Sequence, residues 1–186
     1  MENKVINING QDVKLESGMQ IFFYTPFRWT DLMSWLASAI RYFAKIKYNH
    51  ASTVVCNWFV PFVNEAVASG VNPTNCADRL KGRQILIRRF KGGLPYTERD
   101  FCIRANEKLG DTKYDYKGLV FYQLVFQLFH VWLKRKREYV ERHMYCYDYN
   151  AYCYQEYYGP EWWNINPSAM LSDDRFETVF EGVWEY

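Results

Sequence analysis

Three residues that stand far apart in the chain carry the chemistry of a nucleophile, a base and an orienting acid: Cys146, His50 and Glu65. The stretch His143-Met144-Tyr145-Cys146-Tyr147-Asp148-Tyr149-Asn150 reads as a loop running into a helix that starts at or near Cys146. Tyr147, Ala151, Tyr154 and Tyr158 then recur at the spacing of one helical face, which would turn toward a core. A cysteine at a helix start meets unpaired N–H groups and the positive end of the dipole. Those surroundings favour the thiolate, the nucleophilic form. Asp148 lies about 200° round the helix from Cys146 and can help start the helix without lying against the sulfur. The plainer alternative is a buried, inert thiol, the ordinary fate of a free cysteine.

His50 and Glu65 fall on two stretches rich in Val, Thr and aromatics, Ala51 to Asn57 and Phe59 to Ala66, which read as neighbouring strands. With Asn57-Trp58 as a two-residue turn, His50 lies directly opposite Glu65 on one face. Opposed Cβ atoms are about 4.5–5.5 Å apart, a range in which a carboxylate holds an imidazole in one tautomer. A one-residue slip would part them, and Pro61 signals an edge or an irregularity in the second strand. A purely structural His–Glu pair is the competing reading. Taken with Cys146, the pair forms the set a cysteine hydrolase uses: a base takes the thiol proton and a third group fixes the base. N–H groups at the helix start, that of Cys146 included, would stabilise an oxyanion.

The elements that must position these groups follow from periodicity. Residues 1–17 read as an N-terminal tail or short strand (Lys4 to Asn9), and 18–186 as a single domain. Met19 to Tyr24 is an expected buried strand. Trp29 to Lys45 is an expected helix with Leu32, Leu36, Ile40 and Phe43 on its apolar stripe. Val71 to Gly82 reads as a loop, Gln84 to Phe90 as a strand, and Thr97 to Leu109 as a helix capped by Thr97 and ended by Gly110. Tyr114-Asp115-Tyr116 follows in a loop. Gly118 to Leu133 is the most apolar run, too short and interrupted to span a bilayer. It reads as a core helix with Gln123, Gln127, His130 and Lys134 on a polar edge, and Lys134-Arg135-Lys136-Arg137 as its solvated cationic end. The rival reading is a membrane-surface helix with a basic flank. Ser168 to Leu171 suggests a helical turn and Phe176 to Phe180 a last strand.

Composition narrows the class. Aromatic residues make up 19% of the 186, which suggests a globular chain with aromatic walls and argues against disorder. A net charge of +2 does not argue for nucleic acid. The N-terminal stretch lacks the apolar run of a signal peptide, and the five cysteines form no C-x-x-C pair. Reduced thiols and a cytoplasmic location are the expectation.

The motifs, in their order, resemble the circularly permuted, YiiX-like (YebB-like) branch of the NlpC-type papain-like cysteine hydrolases. Asn49-His50-Ala51-Ser52-Thr53-Val54 is similar to that family's S-H-x-x-[IV] motif, and Glu65-Ala66-Val67-Ala68-Ser69-Gly70-Val71 to its E-A-x-x-x-G-V motif. A strand ending in Arg88 and Arg89, the helix end Leu109-Gly110 and the pair Tyr114-Asp115 follow. Tyr145-Cys146-Tyr147-Asp148-Tyr149 resembles Y-C-S-E-L, and Ile165 to Leu171 resembles I-x-P-x-x-L, with Phe176 after it. The resemblance spans about residues 18–182. It implies an α+β fold with an antiparallel sheet flanked by helices. It implies Cys146 as nucleophile, His50 as base and Glu65 as orienting residue, with no cofactor. It also implies hydrolysis or transfer at a peptide, amide, ester or lipid acyl bond through an acyl-enzyme. Tyr147, Asp148 and Asn49 depart from the motif residues and bear on substrate choice; a bulky Tyr147 would narrow or line the site.

Three other readings compete. A silent binding protein for an acyl, lipid or peptide ligand would keep the fold without turnover. A metal held by His143, Cys146 and Cys153 fails on spacing, since residues seven apart lie about 10.5 Å along a helix axis and zinc–sulfur bonds are about 2.3 Å. Single-stranded nucleic-acid binding would draw on aromatic and basic residues together, whereas the charge balance is near neutral and the aromatics are scattered. Oligomeric state is not legible.

Overall fold

The structure, a computed structural model, describes residues 5–8, 11–27, 29–30, 34–35, 38, 41–42, 45–56, 60–94, 96–122, 125, 128–129, 131 and 133–184. Strands β1 (Val5–Ile8) and β2 (Gln11–Lys14) pair antiparallel, so the N-terminal stretch holds a hairpin where one short strand was expected. Then come β3 (Gln20–Phe23), β4 (His50–Val55), β5 (Phe62–Val67), β6 (Gly70–Asn75), helix α1 (Cys76–Leu80) and β7 (Gln84–Phe90). Helix α2 (Glu98–Glu107), β8 (Lys113–Tyr114), helix α3 (Arg137–Arg142) and β9 (His143–Met144) precede the buried helix α4 (Cys146–Cys153). Helices α5 (Gln155–Tyr158) and α6 (Pro167–Leu171) and strand β10 (Phe176–Val183) complete the order.

The main sheet runs β10-β7-β3-β4-β5-β6, with every neighbour antiparallel. Strand alternation sends its side chains to two cores. Phe22, Ala51, Val55, Ala66 and Leu86 join α2 and α4 on one face. Ile21, Phe23, Val54, Val63, Ile85 and Ile87 join Val13, Leu15, Leu80 and Trp184 on the other. Helix α4 has no solvated face: each of its eight residues is buried. A helix apolar or enclosed all round belongs inside a domain, and its polar groups must then find partners. Tyr149 Oη donates to Ala105 O at 2.6 Å and Tyr152 Oη to Glu107 Oε2 at 2.5 Å, both across to α2. Thr53 Oγ1 donates to Asn150 Oδ1 at 2.8 Å, across to β4.

The structure also departs from expectation further along the chain. Residues 71–82, expected as a loop, form edge strand β6 and helix α1. Pro73 disguised the strand, but an edge strand tolerates a missing N–H donor. The β4–β5 turn is longer than two residues, because β4 ends at Val55 and β5 begins at Phe62. There the Cys56 N–H donates to Ser17 Oγ at 2.9 Å. Tyr114 lies in β8, paired in parallel with Met144, and not in a loop. Arg135, expected on a solvated helix end, is 4% exposed for a reason given below.

The apolar run from 118 begins as a π-helical turn, Gly118–Tyr122. Gln123, Gln127 and His130 of its expected polar edge lie outside the described residues. The same holds for Leu32, Leu36, Ile40 and Phe43, although Ser34, Trp35, Ser38, Arg41 and Tyr42 of that segment are helical. Among the described residues no helix is long and apolar enough to cross a membrane.

Candidate active site

His50 is the first residue of β4 and pairs with Phe23, the last residue of β3. The residue before it is tied twice to the end of β3. The Asn49 N–H donates to Phe23 O at 3.0 Å, and Asn49 Oδ1 accepts from the Thr25 N–H at 2.8 Å. Asn49 thus pins the chain at the end of β3.

The observed register pairs Thr53 with Asn64, Val54 with Val63 and Val55 with Phe62. That is a shift of two residues from the expected pairing. An even shift keeps His50 and Glu65 on one face, now as diagonal neighbours, which long side chains still bridge. His50 Nε2 and Glu65 Oε2 are 2.5 Å apart. Glu65 is 3% exposed and its carboxylate is fully engaged. Arg79 of α1 forks it, Nε to Oε1 at 2.6 Å and Nη2 to Oε2 at 2.7 Å, and Thr74 Oγ1 lies 3.5 Å from Oε1. Burial would raise the Glu65 pKa, but His50 and Arg79 together lower it to about 2. Charge-assisted, bidentate bonds of this kind are the strong ones. No spacing signal in the sequence pointed to Arg79, because α1 itself was not legible.

Cys146 opens α4. It stands within electrostatic reach of the His50 imidazole: burial would lower the His50 pKa, but Cys146, and then Glu65, raise it to about 9. With Nε2 committed to Glu65, Nδ1 is the ring nitrogen left for the sulfur. The structure therefore brings Cys146, His50 and Glu65 to one place. The other four thiols are held differently. Burial pushes Cys56 up to about 11 and Cys76 and Cys153 up to about 12, and raises Cys102 as well. All five cysteines are free.

The departures from the motif now have physical places. Tyr147 is buried and its hydroxyl donates to Tyr48 O at 2.8 Å, so it ties the start of α4 to the segment just before His50. Asp148 is buried and takes a two-pronged bond from Arg135, Nη1 to Oδ2 and Nη2 to Oδ1, both at 2.6 Å. Arg135 Nη2 also donates to Trp163 O at 2.6 Å. Burial pushes the Asp148 carboxyl up to about 6 although Arg135 pulls it down. The four-residue basic run concealed this, since its second member is an internal cation whose partner lies 13 residues on.

Tyr114, read only as part of a motif, is set beside Cys146 by the β8–β9 pairing. Burial, then the Cys146, Tyr116, Tyr145 and Asp148 charges, raise its phenol pKa and keep it protonated. Asp115 accepts from the Gly118 N–H at 2.7 Å and from Tyr139 Oη at 2.9 Å. Gly70, the glycine of the E-A-x-x-x-G-V stretch, has φ of 109°, and an added Cβ would meet Thr112 O at 2.5 Å. That close approach brings β6 against the segment leading into β8. Arg88 is buried and donates to the carbonyls of Met170, Leu171, Asp173 and Phe176. It thereby satisfies the end of α6 and the start of β10.

No family model and no curated protein matches the chain. The fold is similar to that of a solved structure, the metalloprotein YiiX from Escherichia coli O157:H7. The TM-score is 0.63 at 18% identity, over 89% of this chain and 97% of that one. The chain thus has a YiiX-like α+β fold.

Proposed function

We propose that the protein is a cysteine-dependent hydrolase of an amide, ester or related acyl bond, on a circularly permuted papain-like fold. The observation that carries this reading is the His50–Glu65 pair standing within electrostatic reach of Cys146 at the start of α4. The order His50, Glu65, Cys146 along the chain is the permuted order. Cys146 Sγ loses its proton to His50 Nδ1 and attacks the substrate carbonyl carbon. Glu65 holds the imidazolium through Nε2. The first-turn N–H of Cys146 has no intrahelical partner and stabilises the oxyanion, with the protonated Tyr114 hydroxyl nearby. The intermediate collapses to a thioester as His50 hands its proton to the leaving group. Water, activated by His50, then releases the acid and restores the thiol.

The similar YiiX structure is described as a metalloprotein. Among the described residues no group of three His, Cys, Asp or Glu is arranged to hold a metal ion. Glu65 already spends its oxygens on His50 and Arg79. The donor set does not fit a metal, and no step is routed through one.

A second reading, a binding protein without turnover, draws on the 1% exposure of Cys146: a ligand has to displace its cover. One experiment separates the two. A panel of peptide, ester, thioester and lipid substrates is incubated with the protein and with Cys146→Ala. Products present with the first and absent with the second establish hydrolysis. Retained ligand with no product from either chain establishes binding alone.

A further inference from the structure

The pair His50–Glu65 is one side of a closed ring of contacts. Arg79 forks Glu65, its guanidinium carbon lies 4.7 Å over the centroid of the Phe23 ring, and the Phe23 and His50 ring centroids are 5.7 Å apart. Helix α1 is built to aim this arginine. Asn75 caps it by accepting from the Ala77 N–H at 2.9 Å, and the Cys76 N–H donates to Pro61 O at 3.1 Å. Cys76 and Leu80 anchor it in the core on that side of the sheet. A carboxylate needing only to be kept in solution would not require a helix fixed at both ends.

We propose that Arg79 is a positioning residue: by gripping and neutralising Glu65, it sets the pH range over which Cys146 and His50 form a thiolate–imidazolium pair. The proposal rests on the hydrolase reading above. The charges that meet at the site are Cys146 of α4, His50 of β4, Glu65 of β5 and Arg79 of α1. Thr74 of β6 and Phe23 of β3 complete the enclosure without charge. Tyr114 of β8 and Tyr147 of α4 are phenols with raised pKa values, and the buried carboxylates Asp148 and Asp115 share the Arg135 guanidinium. Thiolate, imidazolium, carboxylate and guanidinium sum to zero. Without Arg79 the carboxylate stands uncompensated, and it opposes both loss of the thiol proton and loss of the imidazolium proton.

The test is alkylation of Cys146 by iodoacetate as a function of pH, read at its own peptide by mass spectrometry. The anionic reagent needs both thiolate and imidazolium, so the profile is a bell. His50 is followed in parallel by NMR titration. Arg79→Met is expected to move both limbs upward by about one pH unit, the scale of a single nearby charge. Arg79→Lys, which keeps the charge, should restore them. Glu65→Gln should move the alkaline limb downward. If Arg79→Met does not fold, Glu65→Gln combined with Arg79→Met carries the test. It leaves no uncompensated carboxylate, and its His50 titration should lie above that of Glu65→Gln alone. Limbs that stay in place in Arg79→Met, or coincident titrations of the single and double Glu65 variants, overturn the proposal. A bell that is absent from the unmodified protein, or indifferent to His50→Ala, overturns the hydrolase reading instead.

Discussion

Cys146 and Cys153 begin and end the same buried helix, and the fold treats the two thiols differently. At the first position the sulfur meets the positive end of the helix dipole and a histidine whose other nitrogen is held by a carboxylate. At the last it meets the helix's negative end, packed among apolar and phenolic groups. Burial pushes Cys153 up to about 12 even though Tyr149, Thr53 and Arg104 pull it down. Both residues are about equally hidden, at 1% and 0% exposure, so burial does not separate them. What does is the helix end each occupies and the presence of one imidazole.

The largest test of that difference is removal of each thiol in turn. Cys146→Ala should lower product formation on the order of 10⁵-fold or more, the scale seen when a nucleophile is deleted. Cys153→Ala should change it by less than about tenfold, the loss of a packed thiol and not of a reacting one. Equal losses would erase the distinction. Next, His50→Ala should slow labelling of Cys146 by a thiol-directed probe about 10²–10⁴-fold at neutral pH, the usual contribution of a positioned base. The labelling of Cys56, Cys76, Cys102 and Cys153 should not change.

The N-terminal end of α4 also depends on an internal ion pair that the other end lacks. Arg135→Met leaves Asp148 buried without its cation and should destabilise the fold by about 3–5 kcal/mol in chemical denaturation. The pH dependence of stability gives a further measure. His50 has a raised folded pKa, so its contribution is complete below about 6.5 and is lost as pH climbs through about 9. Glu65 has a lowered one, so its contribution is complete above about 4.5 and is lost as pH falls toward about 2. Denaturation midpoints should therefore be least pH-sensitive between the two, and Glu65→Gln should flatten both edges. The smallest expected effect is that of Tyr147→Phe. It deletes one bond to Tyr48 O and should cost about 1 kcal/mol, with labelling of Cys146 little changed.

Much of the local structure was readable without coordinates because it rests on short-range rules. Helix α4 starts at Cys146 as expected, although β9 and not a loop leads into it and the repeat breaks at Tyr154 before α5. Strand β7 covers Gln84–Phe90 as expected, and Thr97 caps α2 through its bond from the Asp100 N–H at 3.2 Å. The sharing of a face by His50 and Glu65 also survived, because strand parity tolerates any even error in register. Edge strand β6 did not: a proline and few apolar residues hide a strand at the border of the sheet. Arg135 and Arg79 were equally hidden, since a surface cation and an internal one look alike until the partner carboxylate is placed.

What the chain by itself determined is a thiol at a helix start, an imidazole and a carboxylate on one face of a strand pair, and the periodicities that make those elements. These are properties of neighbours a few residues apart. Only the tertiary structure decided that the thiol reaches the imidazole. Helix α4 packs on the sheet face of Ala51 and Val55, while His50 and Glu65 belong to the opposite face, with Val54 and Val63. The two meet because His50 stands at the first position of β4, at the end of the sheet, where the start of α4 comes alongside. That meeting is a matter of packing between segments almost a hundred residues apart, which no local spacing encodes.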